Sequence, residues 1–247
     1  MLPKLFTPFT IRGLTLPNRV VISPMAQYSA QDGMATDWHL VQYGRFAVGG
    51  AGVVTVEFTA VTREGRITNG DMGLWSDAHI APLARIAGFL KANGSVPSFQ
   101  LAHSGRKGSS QRPWHCNGPL TAADLERGDE CWQPVAPSAV PLGEGWLTPT
   151  ELDTAGEVAL CHAFVAAAGR ARSAGFEIIE IHAAHGYGLH QFLSPIANHR
   201  HDRWGGDRAR RMALPLAVAR GIRETWPADK PVFLRLIGEG LEGHAQI

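Results

Sequence analysis

Cysteine is scarce in this chain and follows no pattern. Cys116, Cys131 and Cys161 are the three that occur, with no C-x-x-C spacing among them. An odd, sparse set points to neither a disulfide framework nor a zinc site, and a reducing cytoplasm is the simplest compartment. An excess of either charge is also lacking. Lys and Arg number 23 and Asp and Glu 22, for a net charge of +1. That balance gives no electrostatic reason to expect nucleic acid or an anionic membrane surface as a partner. No run reaches the ~18 apolar residues of a membrane span, so none is expected. The first twenty residues lack a continuous apolar core and an A-x-A cleavage site, and do not read as a signal peptide. Apolar residues, by contrast, make up 45% of the 247 positions and charged residues 18%. A large buried core is therefore available, in one large domain or two small ones.

Short β-rich runs alternate with helix-like runs. Strands are expected at 19–25, 52–61, 97–103, 176–182 and 231–237, after a small hairpin at 5–16. Helices are expected at 36–50, 76–94, 150–175 and 205–227, each opened by Ser, Thr or Asp or closed by Gly. The polar, Pro-rich stretch 104–149 is too long for an ordinary connection and reads as a functional lid. Alternation of this kind argues for an α/β fold with a parallel sheet. Chemically capable residues fall at the ends of several strands: Ser23, Pro24 and Met25; Gln100 and His103; His182 and His185; Arg235. Such clustering suits the mouth of a (β/α)8 barrel, and also a doubly wound sheet.

The segment "EIHAAHGYGLHQFLSPIANHRHDRWGG" holds five of the 11 histidines. His182 and His185, spaced H-x-x-H with Tyr187 beyond, admit three readings. A metal site would need three or four ligands, and no Cys or carboxylate falls convincingly nearby, so no metal is expected. Ordinary loop histidines are the second reading. The third is a donor pair for one carbonyl or anionic oxygen, with Tyr187 as general acid. "GEGLEG" (238–243) fits G-x-G-x-x-G after a strand, but too few residues follow for the helix that motif needs. The basic "AHSGRKGSSQRPW" (102–114) reads, taken alone, as a solvated loop. Gln100, near the end of an apolar strand, must find partners if buried.

Taken together, "LFTPFTIRGLTLPNRVVISPM", "GRITNGDMGLWSDAHI", "QLAHSGRK", "APSAV", the histidine segment and "VFLRL" resemble the old yellow enzyme family of FMN-dependent ene-reductases. The histidine pair and the "GRKGSSQRPW" loop are similar to its bacterial xenobiotic reductase and NADPH dehydrogenase subgroup. The resemblance implies a single (β/α)8 TIM-barrel domain over 1–247, with FMN at the C-terminal mouth and NADPH or NADH as hydride donor. It implies that Ser23, Pro24, Met25, Ala26 and Ala60 border the flavin. Gln100 would bond its pyrimidine edge and Arg235 would lie near its N1 side. His182 and His185 would hold the oxygen of a small enone or nitro substrate, Tyr28 would line the pocket and Tyr187 would donate the proton. Members of the family often form dimers or tetramers, which allows a homo-oligomer.

Two departures stand out. The subgroup usually carries cysteine after S-P-M, where this chain has Ala26, which implies a shifted flavin potential and substrate preference. Five strands are readable where the barrel has eight. The expectation is that strands six to eight and the FMN phosphate site are missing, and that the truncated chain alone binds FMN poorly and is inactive or unstable. A dienoyl-CoA reductase-like flavoenzyme, a non-catalytic barrel fragment and a metal-dependent barrel hydrolase are the alternatives. Flavin absorbance and metal analysis discriminate among them.

Overall fold

The computed structural model describes residues 3–237. A hairpin of β1 (Phe9–Ile11) and β2 (Leu14–Leu16) comes first. Next are β3 (Val21–Ile22), α1 (Asp37–Val48), β4 (Val53–Ala60), β5 (Met72–Gly73), α2 (Ile80–Ala92) and β6 (Val96–Ala102). A long connection then carries α3 (Ala122–Glu126), β7 (Val135–Ala136) and β8 (Thr150–Glu151). Last come α4 (Thr154–Ser173), β9 (Ile178–His182), α5 (Gly188–Leu193), α6 (Arg208–Thr225) and β10 (Val232–Arg235).

The main sheet runs β10–β9–β6–β4–β3, all parallel, with β5 paired to the end of β4. Consecutive main strands are neighbours, and α1, α2, α4 and α6 each fill one crossover. The strand order never reverses, so this is the wall of a (β/α) barrel, five strands of it, and not a doubly wound sheet.

The period of two along each strand sorts its residues between two cores. Val54, Val56, Phe99, Leu101, Ile179 and Ile181 face the helices, meeting Tyr43, Leu83, Leu90, Phe164, Val218 and Ile222. Phe99 meets Phe176 edge-on at 4.7 Å. Each such side chain contributes roughly 1.5–3 kcal/mol on burial. The opposite face is lined in rows by register: Phe58, Gln100, Glu180 and Phe233, then Ala60, Ala102, His182 and Arg235. The hairpin closes the other end of the barrel, where Leu16 packs on Val53 and Ile178. The Gly13 amide reaches Asp229 O (2.8 Å) and Arg12 Nη1 reaches Ala228 O (3.0 Å), both just ahead of β10.

Caps explain the helix limits. Asp153 accepts the Gly156 amide at 2.7 Å and Asp207 the Arg210 amide at 3.0 Å, satisfying donors that a helix start leaves open. The helix expected from residue 150 therefore begins at Thr154, because Thr150 and Glu151 pair in parallel with Val135 and Ala136. Pro215 lies inside α6 without ending it. Among the described residues, no helix is long and apolar enough to cross a membrane, and Cys116, Cys131 and Cys161 are free thiols. The "GEGLEG" stretch lies outside the described residues.

Candidate active site

The site is built where β9 hands over to α5. His182 is the last residue of β9 and points inward. His185 follows at φ +56° and Gly186 at φ +70°. This left-handed pair turns the chain sharply, and a non-glycine residue holds such a conformation only when its surroundings enforce it. They do so here. Lys107 Nζ donates to His185 O at 2.9 Å, and the Gly186 amide donates to His190 Nδ1 at 2.7 Å. Gln191 Nε2 bonds Gly186 O (2.7 Å) and Ser104 O (3.1 Å), while its Oε1 accepts the Arg106 amide (3.0 Å). The Gly188 amide meets His103 O at 2.7 Å. One glutamine thus staples the loop after β6 to the loop after β9. Gly105, at φ +62°, leaves room for it, since a Cβ there would lie 2.0 Å from Gln191 Oε1.

The two imidazoles lie close together, His185 Nδ1 being 3.3 Å from His182 Nε2, with ring centroids 5.0 Å apart. Tyr187 stands edge-on to His182 at 5.3 Å and leans on Phe58 at 5.0 Å. His182 is buried, and its Nδ1 finds no hydrogen-bond partner among the described residues. Burial, reinforced by the charges of His185, Arg235, His190 and Lys107, lowers its pKa to about 3. Burial likewise lowers His185 and pushes the Tyr187 phenol well up. The group is therefore a neutral pair of donor-capable rings beside a protonated phenol. Lys107 sits 5.2 Å from the Tyr187 ring centroid, its pKa brought down to about 8 by burial and then by Arg106.

Two cavities flank the group. One, of about 480 Å³, is walled by Tyr28, Ile67, Lys107, Ser110, Pro113, Asn117, Leu142, Gly143, Trp146 and Tyr187. The long connection 104–149 thus supplies much of its wall, as a lid would. Burial, with Asp71 and Glu57 nearby, raises the Tyr28 phenol to about 12. The other, of about 420 Å³, runs along Ser23, Pro24, Thr55, Glu180, Phe233 and Arg235. Its lining residue Glu180 accepts from Gln100 Nε2 at 2.7 Å, and Arg235 lies within electrostatic reach of Glu180 and both histidines. Met25 is exposed and Ala26 half-buried. Ala60 is fully buried, its side chain packed with Phe58, Ile67 and Ala102.

The sequence reading of 102–114 as a solvated loop is corrected. Arg106, Lys107, Ser109 and Ser110 are buried. Their polar groups are met by other loops, Arg106 Nη1 by Val140 O and Pro141 O at 3.4 and 3.3 Å, which makes burial tolerable. Phe58, Lys107 and Glu180 also belong to the site. Local basicity was the signal for Lys107, and nothing separated Phe58 from ordinary core. His199 and His201 belong to the stretch after α5, His190 supports the donor pair by accepting the Gly186 amide, and α5, which contains His190, has no counterpart in the expected elements.

The end of the histidine segment is structural. Asn198 Nδ2 bonds Phe192 O (2.8 Å) and Trp204 O (2.7 Å), and Arg200 pairs with Glu157 and Asp202, both at 2.5 Å. Gly205 is required because a Cβ would lie 2.4 Å from Arg200 Cβ. Among the described residues, no group of three or more His, Cys, Asp or Glu is placed to hold a metal ion.

A parallel barrel wall of this kind is shared with known flavin-dependent reductases. Residues 4–246 match the NADH:flavin oxidoreductase / NADH oxidase family. An NADH:flavin oxidoreductase of Gibberella zeae is 44% identical over 94% of this chain and 56% of its own length. The NADPH dehydrogenase of Bacillus subtilis is 42% identical over 96% of this chain and 64% of its own. Among solved structures, morphinone reductase superposes with a TM-score of 0.81 at 30% identity, over 95% of this chain and 62% of that one. The old yellow enzyme of Pichia sp. gives 0.81 at 28%, over 94% and 59%. The chain belongs to the NADH:flavin oxidoreductase / NADH oxidase family, whose flavin is FMN. It spans between 56% and 64% of the length of these two curated relatives.

Proposed function

We propose that this chain carries the substrate-holding and flavin-facing part of an NADPH dehydrogenase-type ene-reductase, folded as one domain. The observation that carries the reading is the group at the end of β9, two neutral imidazoles 3.3 Å apart with a protonated phenol beside them, next to the inward-facing amide of Gln100, carboxylate of Glu180 and guanidinium of Arg235.

The residues present fit a flavin. Gln100 offers an amide whose Nε2 donates to Glu180, and its oxygen has the acceptor capacity a ring N–H needs. Arg235 brings a cation to the same mouth, suited to an anionic ring edge. Ser23, Pro24, Met25, Ala26 and Ala60 would border the ring system. When bound, FMN supplies the hydride relay between NADPH or NADH and the β-carbon of an α,β-unsaturated carbonyl or nitro compound. The chain's own work is polar. His182 and His185 donate to the substrate's oxygen and draw electron density off the β-carbon. A neutral imidazole still carries one N–H, which is the donor available to the substrate's oxygen. Tyr28 and Trp146 wall the pocket, and Tyr187, kept protonated by burial, delivers the proton to the α-carbon. The free thiols fit a reducing cytoplasm.

The test is a flavin titration followed by turnover. With FMN held in excess, to offset the weak binding expected of a five-strand wall, the chain should show flavin-dependent oxidation of NADPH in the presence of cyclohexenone. Replacing both His182 and His185 with Ala should cut kcat/KM roughly 100-fold with flavin retained. Enone turnover that survives the double replacement would sink the assignment.

A further inference from the structure

Glu57 is a carboxylate in the middle of β4, a strand buried at every position. It has no part in the chemistry above, and a buried charge-bearing group persists only where its surroundings satisfy it. The register shows how it came to be there. Val56 lies opposite Phe99 and Phe58 opposite Gln100, so Glu57 is the extra residue of a β-bulge. Bulges re-aim side chains. This one brings Phe58 inward beneath Tyr187 and turns Glu57 toward α1 and the loop after β3.

Three groups meet it there. Tyr43 on α1 donates its hydroxyl to Glu57 Oε2, and the Glu57 amide points back at Tyr43 Oη (3.3 Å). His39 Nδ1 accepts the Thr36 amide at 3.0 Å, so its proton is on Nε2, which faces Glu57 Oε1 from 3.9 Å. The third partner matters most. The Gln27 amide, outside any helix or strand, donates to Glu57 Oε1 at 3.0 Å. The next residue is Tyr28, held at φ +52°. That left-handed conformation is strained for a tyrosine, and its ring walls the 480 Å³ cavity.

We propose that Glu57 is a positioning residue for the Tyr28 wall: by holding the Gln27 amide it fixes the strained turn that presents Tyr28 to the pocket. The proposal rests on the reading of that pocket as the substrate site. It ties the two walls together, since one bulge sets both Phe58 under Tyr187 and the anchor for Tyr28.

Amide hydrogen exchange on the full chain tests it without flavin. In the unsubstituted chain the Gln27 amide should exchange slowly, although no helix or strand protects it. Free exchange there overturns the proposal whatever the variants do. Glu57→Ala should speed Gln27 exchange at least about tenfold while Leu101 and Ile181 in the central strands keep their protection. Glu57→Gln, which keeps an acceptor oxygen, should restore it. Equal loss of protection in Gln27 and the central strands in both variants would mean a merely structural role and would overturn the proposal. With enone, Glu57→Ala should raise KM about tenfold more than it lowers kcat; an equal loss in both would count against it. Failure of the flavoenzyme reading is seen separately, as absence of flavin uptake with Gln27 still protected.

Discussion

The centre of the sheet and its two flanks differ in how firmly they hold what they present. Strands β4, β6 and β9 are covered by helices on one face, and the loops after β6 and β9 are stapled through Gln191, Lys107 and His103. The histidine pair and Tyr187 belong to this packed centre. The residues expected to border FMN from the sides, Ser23, Met25 and Arg235, lie on or just after β3 and β10. Among the described residues each of these strands pairs with one neighbour only, and Val21 and Leu234 are 51% and 42% exposed. The substrate-polarising half is therefore pre-organised by packing, whereas the cofactor-facing half draws on flanks that packing holds less tightly.

The largest expected effect is at the centre. Phe99→Ala removes a fully buried ring and should cost about 3–5 kcal/mol in urea unfolding; a loss under about 1 kcal/mol would erase the contrast. Arg200→Ala strands Glu157, its buried partner, and should cost about 3 kcal/mol while leaving the flavin-facing groups unaltered. The packed centre should also be acid-sensitive. His39, His103 and His190 are lowered to about 4 and His182 to about 3, mainly by burial. The unfolded chain protonates first, near pH ~6.5, so stability present above that pH is lost as pH falls, by up to about 1.4 kcal/mol per unit for each ring. Burial lowers His185 as well; Glu57, raised to about 8, Asp71, raised to about 6, and Glu157 and Glu180, both raised by burial, oppose the rings, leaving five rings against four carboxyls. A melting temperature higher at pH 5.5 than at pH 7 would contradict the balance. The smallest effect belongs to the flank: Leu234→Ser should change stability by no more than about 0.5 kcal/mol, and a cost near that of Phe99→Ala would show that β10 is as firmly held as the centre.

Much of this was legible beforehand. Each of the five main strands overlaps a run expected as a strand, and Thr36 and Asp207 mark the starts of α1 and α6 as capping chemistry requires, whereas α4 starts after Asp153 and not at residue 150. That His182, His185 and Tyr187 stand together was legible because they end a strand and open the loop after it. Other features were hidden for physical reasons. The bulge at Glu57 is a register fault between strands and leaves no trace in one strand's own pattern. Gly188–Leu193 is shorter than two helical turns, too short for a period to show. Arg106 and Lys107 looked solvated because their partners are backbone carbonyls from remote loops, and a carbonyl has no sequence signature. Thr150–Glu151 pairs with residues too few to read as a strand.

The hairpin β1–β2 has a mechanical meaning beyond closing one end of the barrel. Its turn grips Asp229 and Ala228 at the threshold of β10, and its second strand leads straight into β3. The two outermost strands share no hydrogen bonds with each other among the described residues, yet both are tethered to this one ribbon. The hairpin thus acts as a fixed-length spacer across this end of the sheet. It sets how far apart the flanks stand there and, through them, how widely the opposite rim opens around Ser23 and Arg235.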